Sequence, residues 1–430
     1  MLIDFTMRNF KSFQQATVLS VEAGERLTKY NESNTLVVSG KRVLKNLLIF
    51  GPNGSGKSNL LDGLKRMRQM VLNDPIKITD TFRPDQFTLS PASHIADTHF
   101  EITFAVHKHV YEYAFSYNTK RITYERLSVI SKNRKINYFE RTLHGFTTTK
   151  QALNDSAEKT KNNSLVLFKA MQDNDPTAIS VFTWFSEDLL FVDDYQSAPI
   201  INNLIGLIQD EGVKQQVLNF LRSADFNIVD LEVNERPPHM DWYGRLLNQS
   251  GEQPHFVNQL LTVHKVYDKN GAVVGKRRLP LESESRGTRK IVLLALAFIN
   301  AEMNGDGKTL LLDEFNDSLH PELAKAMIRI FNSVANQNQF ILTTNELQLL
   351  DSKVRIDQIY LVEKDFKGVS NLTSIFDFKD TRNTTRSGIS YMKRYVEGRF
   401  GAMPVIDPDQ MLNALAARDN DIDKSESGAL

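Results

Sequence analysis

A chain of 430 residues with no cysteine and a hydrophobic share of 41% excludes disulfides, thiolate metal sites and cysteine nucleophiles. With 52 basic and 52 acidic residues, it carries no net charge with which to coat a polyanion in bulk. No apolar run approaches the roughly 18 residues of a membrane span, and Met1-Leu2-Ile3-Asp4-Phe5 lacks the basic-then-apolar order of a secretory signal, so a soluble cytoplasmic protein of two or three domains with no membrane contact is expected.

Residues 2–22 alternate loosely around Arg8-Asn9-Phe10-Lys11-Ser12-Phe13, which predicts two short strands about a turn, and polar residues 23–40 read as a loop. Leu47-Leu48-Ile49-Phe50 is a continuous apolar run, as a buried parallel strand requires. Gly51-Pro52-Asn53-Gly54-Ser55-Gly56-Lys57-Ser58 follows and fits G-x-x-x-x-G-K-[ST]. Leu60, Leu64, Met67 and Val71 then recur on one helix face. Strand, glycine-rich loop and helix together form a phosphate cradle: backbone N–H groups point inward and the helix N-terminus favours negative charge. Asn53, Gly54, Ser55, Gly56 and Asn59 are the candidate nucleotide contacts, with Lys57 reaching the outer phosphates and Ser58 holding magnesium.

Asp74-Pro75 breaks the helix. Residues 100–106 and 111–117 alternate with period two and predict an antiparallel hairpin, with His107-Lys108-His109 at its turn. No carboxylate or third histidine lies nearby, which favours a solvated turn over a metal site. Residues 1–128 are therefore read as one lobe of an α/β head. Residues 129–280 are read as a mainly helical insertion, with helices at about 164–172, 176–187, 198–208 and 212–223, a strand at 228–233, a loop at 234–255 and a closing hairpin around Asn270-Gly271. The basic clusters Lys132, Arg134, Lys135 and Lys276, Arg277, Arg278 leave nucleic-acid contact open beside a solvated-face reading. Tyr391, Lys393, Arg394 and Tyr395 suit either base stacking or a packed terminal helix.

From residue 281 to 375 the head resumes as its second lobe. Residues 288–303 predict a buried helix, Thr309–Leu312 a short strand, and Pro321 a helix start whose buried face carries Leu323, Met327, Ile330, Phe331 and Val334. Strands at 340–343 and 359–362 complete a parallel sheet with crossovers. Residues 376–430 are read as an extension, its end expected to be disordered. Leu310-Leu311-Leu312 ends in Asp313-Glu314, at the carboxyl edge of the sheet where ligands bind. There Asp313 would complete the magnesium coordination begun by Ser58, and Glu314 would orient the attacking water.

Taken together, Arg8–Phe13, Gly51–Ser58, Glu284-Ser285-Arg286-Gly287-Thr288, Asp313–Pro321 and Tyr395–Pro404 resemble the ABC-type ATPase heads of the SMC/RecF class. More narrowly they resemble prokaryotic AAA-type ATPases of abortive-infection and overcoming-lysogenisation type, RloA-like and AbiL-like proteins. The resemblance implies a P-loop ABC head of mixed sheet, with antiparallel N-terminal strands, a parallel core and an insertion. It implies ATP and Mg2+ as cofactors, a signature segment at Ser285, Gly287 and Thr288 that caps the nucleotide of a second subunit, and a D-loop at Asn316-Asp317-Ser318. Two positions depart from the pattern. Asn345 stands where a histidine is usual, so hydrolysis would be slow, and Gln86 is the best candidate for the magnesium-sensing glutamine.

Three functions compete. The first is a regulatory ATPase that self-associates through ATP and controls a separate toxin or Toprim-like nuclease in antiphage defence, the residues after 375 being too few for a built-in Toprim domain. The second is a RecF/SMC-like repair ATPase that binds DNA directly. A transporter subunit fits least, because the insertion splits the head.

Overall fold

The computed structural model describes residues 1–131, 134–192, 205–236, 257–303, 305, 307–378, 390–401 and 407–415. Strands β1 (Leu2–Arg8) and β2 (Thr17–Ser20) open the chain around the expected turn, which Phe10 and Phe13 close as an isolated bridge. A small hairpin of β3 (Thr35–Val38) and β4 (Lys41–Leu44) leads into β5 (Asn46–Phe50), wholly buried as its apolar run requires. The helix Lys57–Leu72 follows the glycine-rich loop. The chain then builds an antiparallel meander of β6 (Thr98–Val106), β7 (His109–Tyr117), β8 (Ile122–Ser131), β9 (Arg134–Thr142) and β10 (Gly145–Thr148). With β1 and β2 these form a seven-stranded sheet in the order β10-β9-β8-β7-β6-β1-β2.

The boundary expected at 128/129 therefore falls inside β8, and the expectation of a mainly helical segment from 129 onward does not hold up to Thr148. Leu127, Tyr138 and Phe139 are buried in the core that the first lobe shares, and this packing carries the sheet onward. Short helices Val166–Gln172 and Pro176–Thr183 come next. A single π turn then ends in β11 (Leu189–Phe191), which pairs in parallel with β15 (Thr309–Leu312) and so belongs to the same sheet as β5. Helix Glu211–Ser223 and the strands β12 (Asp230–Arg236), β13 (Val257–Tyr267) and β14 (Val273–Pro280) follow, the last two turning at Asn270-Gly271 as expected. The expected loop at 234–255, the start of the helix expected at 198–208, Lys132 and the end of the chain lie outside the described residues.

The second sheet runs β11-β15-β16-β5-β17-β18, with β16 (Gln339–Thr344), β17 (Ile359–Lys364) and β18 (Ser370–Ser374); only β18 is antiparallel. It is buried on both faces, and alternate residues serve different cores. Leu47, Ile49, Leu311 and Ile341 face the core shared with the antiparallel sheet; Leu48, Phe50, Leu310, Leu312 and Leu342 face that of the helices Arg286–Met303 and Pro321–Phe331. The helix Lys57–Leu72 lies in the first core, so close to β1 that a side chain at Gly63 would meet the Met7 sulfur and the Phe5 ring. Val334, expected on a buried helix face, is exposed because the helix ends at Phe331. The tyrosines near the end pack: Tyr395 is buried on the short helix Tyr391–Val396, whose first N–H groups are capped by Asp351. Among the described residues no helix is long and apolar enough to cross a membrane, and no cluster of three His, Cys, Asp or Glu side chains could hold a metal.

Of the residues expected as a loop, 31–38 form a helical turn and β3, and the stretch 24–29 before them is fastened beside β5 by a buried ion pair. Arg355 bonds both carboxylate oxygens of Asp357 and the carbonyls of Gly24, Leu27 and Lys29, while Asp357 accepts the Gly24 N–H. Removing one member leaves the other charge buried and uncompensated, a loss of about 3–5 kcal/mol. Asp357→Ala is expected to lower the unfolding free energy extrapolated from denaturant titration by that amount; a change below about 1 kcal/mol, the range of an exposed pair, would show that the fastening does not matter.

Candidate functional site

The loop Gly51–Ser58 leaves the carboxyl end of β5 and enters its helix at Gly56, whose φ of 114° only glycine adopts readily. Gly54 also has positive φ, with open space where a side chain would be. The curve is held from outside by a clamp of hydroxyls. Ser370 of β18 donates to the Ser55 carbonyl at 2.5 Å and shares a hydroxyl–hydroxyl bond with Ser12 at 2.8 Å. Ser12 accepts from the Asn59 amide at 2.8 Å, and its carbonyl accepts the Ser370 N–H. A Cβ at Gly56 would sit 2.4 Å from the Ser370 hydroxyl and 2.8 Å from that of Ser12, so loop and clamp fit only with glycine there. Asn59, expected as a nucleotide contact, donates its amide to this clamp.

The donor set suits a phosphate chain and a hard cation. The Ser55 hydroxyl is buried with no hydrogen-bond partner, and Ser58 is exposed at the helix start. Lys57 is buried and bonds the loop's own carbonyls, Gly51 O at 2.8 Å and Pro52 O at 3.1 Å. Burial pushes its ammonium pKa down, while Asp313 and Glu314 pull it back up. An anion entering the loop would supply the partner that this partly desolvated cation needs. ATP with Mg2+ fits these residues.

Asp313 and Glu314 end β15, and β16 lies between that strand and β5. Thr343 of β16 is the residue that fixes them. Its hydroxyl bonds an Asp313 carboxylate oxygen and accepts the Glu314 N–H at 2.8 Å. Glu314 has φ 46°, a left-handed backbone that costs a non-glycine residue energy and is held here by its neighbours. Lys290, from the helix Arg286–Met303, donates to the Glu314 carbonyl at 2.6 Å, and the Asp317 N–H does so at 2.8 Å. The Glu314 side chain is left exposed at the sheet edge. Asn345 follows β16, and its side-chain oxygen accepts from Asn316 at 2.8 Å, which leaves its NH2 as the group free to meet a ligand. Asn316 in turn accepts from Thr344.

Ser285 caps the helix Arg286–Met303, accepting the Thr288 N–H at 3.1 Å and sharing a hydroxyl bond with Thr288 at 2.8 Å. Gly287 is required there, since a Cβ would lie 2.5 Å from the Ser318 carbonyl. The expected signature segment thus packs on the turn after Glu314, and no hydrogen bond joins it to Gly51–Ser58 among the described residues. A cavity of about 450 Å³ opens beside it, lined by Arg286, Arg289, Lys290, Leu312, Asp313 and Ser318.

Residues 47–351, well over half of the chain, match the family model described as "AAA domain, putative AbiEii toxin, Type IV TA system". The chain belongs to that family. It is accordingly a nucleotide-binding protein of the AAA ATPase class. No curated protein matches the chain. Among solved structures it is similar to an SMC head bound to the C-winged helix domain of ScpA, at 15% identity over 86% of this chain and 96% of that one with a TM-score of 0.44. It is also similar to the SMC head domain from Thermotoga maritima, at 15% identity over 87% and 98% with a TM-score of 0.41.

Gln86 follows Asp85, which is fixed by the Lys11 N–H on its carbonyl, by Tyr117 at 3.0 Å and by Arg66 at 2.8 Å. Asn9 supports the same stretch by accepting the Phe87 N–H. Gln86 is thus carried on a loop tied to the Arg8–Phe13 turn and, through Arg66, to the helix Lys57–Leu72, and its own amide bonds no described residue. Sequence reasoning missed Ser12, Ser370, Thr343 and Lys290. Ser12 lay in a segment noted without a role; Ser370, in a polar strand far downstream, gave no signal.

Ser370→Ala removes a buried hydroxyl that bonds both the Ser55 carbonyl and the Ser12 hydroxyl, a loss of about 1–3 kcal/mol at the loop. Affinity for a fluorescent ATP analogue is expected to fall about 5- to 100-fold while the melting temperature moves little; unchanged affinity would mean that the clamp does not hold the loop for its ligand.

Proposed function

We propose that the protein binds ATP with Mg2+ at Gly51–Ser58, hydrolyses it slowly, associates with further copies through shared nucleotide sites, and thereby controls a separate toxin or nuclease in antiphage defence. The observation that carries this reading is the presence in one chain of two separate helix N-termini with phosphate-binding residue types. One is cradled by the glycine-rich loop and Lys57. The other is capped by Ser285 and backed onto Ser318, with no bond to the first. A second anion site that its own loop does not use suits a nucleotide held by another copy. The family description, with its toxin–antitoxin reference, supports the defence role.

Bound magnesium would supply charge neutralisation at the transferred phosphoryl group, with Ser58 and Asp313 as its protein ligands and Gln86 as a candidate third. Lys57 neutralises the outer phosphates. Glu314, fixed through its backbone by Thr343 and Lys290, orients and deprotonates a water, and the Asn345 amide donates to the same region without adding charge. With no cation at 345 the attack gains less stabilisation, so the ATP-bound state persists and serves as the signal.

Glu314→Gln should bind ATP as the parent does, release phosphate about 10²- to 10⁴-fold more slowly and accumulate ATP-bound assemblies. Used as bait with ATP, it should retain the product of the adjacent gene; phosphate release at the parental rate would refute the base assignment. Ser285→Arg places a bulky cation on the exposed cap. By size-exclusion chromatography it should stay monomeric with ATP while keeping the parental circular dichroism, and association undiminished by the change would refute the shared-site reading.

A further inference from the structure

Beyond Val263 the sheet of β12, β13 and β14 continues as two strands alone, a ribbon of residues 264–277 that turns at Asn270-Gly271. Residues 265–267 and 269–278 are exposed, so the ribbon projects with neither face covered. In a chain of zero net charge, the stretch 265–278 holds Lys265, Lys269, Lys276, Arg277 and Arg278 against one acidic residue, Asp268. Lys265 stands directly opposite Lys276, and His264 opposite Arg277, so cations occupy both faces. Like charges directly opposite destabilise a strand pair. Arg278 is paired with Glu232, but Lys265, Lys269, Lys276 and Arg277 form no ion pair with a described carboxylate. Lysines do blunt sheet edges, yet edge protection needs no second lysine across the pair, and it does not explain why Tyr267, Val273 and Val274 stay exposed beside them.

We propose that this ribbon is a contact surface for double-stranded DNA. A two-stranded β-ribbon is of a size the B-form major groove admits, whereas the deep, narrow major groove of duplex RNA does not. A groove has phosphates on both walls, which suits cations on both faces of an inserted ribbon; an acidic protein would cover one face and leave the other unmatched. The arm is also firmly based. His264 and Thr262 both bond the Glu284 carboxylate, at 2.7 Å and 2.5 Å, immediately before the Ser285 cap.

The test is fluorescence anisotropy of the full chain without nucleotide, on a labelled DNA duplex of about 30 base pairs over a series of KCl concentrations. Lys265→Gln combined with Lys276→Gln should lower affinity and reduce the slope of log K against log[KCl] by about 1.8, at roughly 0.9 per lost phosphate contact. The same variant should melt at or above the parental temperature, because a repulsive pair has gone. Lys120→Gln with Arg121→Gln, an equal loss of charge on the exposed turn between β7 and β8, should leave both slope and affinity unchanged. Arg277→Gln alone, outside every ion pair, gives an independent reading should the double variant fold poorly, with an expected slope change of about 0.9. Equal weakening by arm and control variants, duplex RNA bound as tightly as DNA, or binding to an acidic protein with none to DNA would each overturn the proposal.

Discussion

The groups that Gly51–Ser58 presents depend on a curve that Lys57 braces from inside and that residues far away in the sequence hold from outside. Glycines permit the curve but do not hold it, since the freedom that lets Gly54 and Gly56 adopt positive φ is equally available to other shapes. The outer hold comes from Ser12 and Ser370, one near the chain start and one near its end, which meet over Gly56 through a hydroxyl–hydroxyl bond and grip the Ser55 carbonyl. The N-terminal turn and the antiparallel strand β18 are therefore parts of the site, although neither carries a phosphate-binding motif.

A similar division holds at the carboxylates. Asp313 and Glu314 are at the sheet edge because β15 ends there, but their orientation comes from Thr343 on the neighbouring strand and from Lys290 on the helix that begins at the Ser285 cap. The cap, the positive-φ turn at Glu314 and the end of β16 form one bonded unit with Asn316 and Asn345. Rearrangement at the cap has a direct route to the backbone of Glu314, through a single lysine.

What could be read from the sequence was whatever local pattern determines. The run Leu47–Phe50, the strand Thr309–Leu312, the hairpin of β6 and β7 and the turn at Asn270-Gly271 all lie where periodicity and turn residues place them. The end of the first lobe could not be read, because β8, β9 and β10 are polar on one face and resemble loop until paired. Nor could the clamp, which joins residues more than three hundred positions apart through side chains too small and common to stand out. Asn59 also bonds the clamp, a support that its place beside the loop did not announce.

The nucleotide sheet is a wall with a different hydrophobic core on each side, built from alternate residues of the same few strands. Neither core can lose its packing without exposing the backs of strands that the other needs. The two lobes should therefore melt in a single cooperative transition rather than in two steps. For the same reason, a ligand that stiffens the loop at the end of β5 tightens packing on both sides of the wall at once, and thermodynamic protection of the whole chain follows from occupancy of one small site.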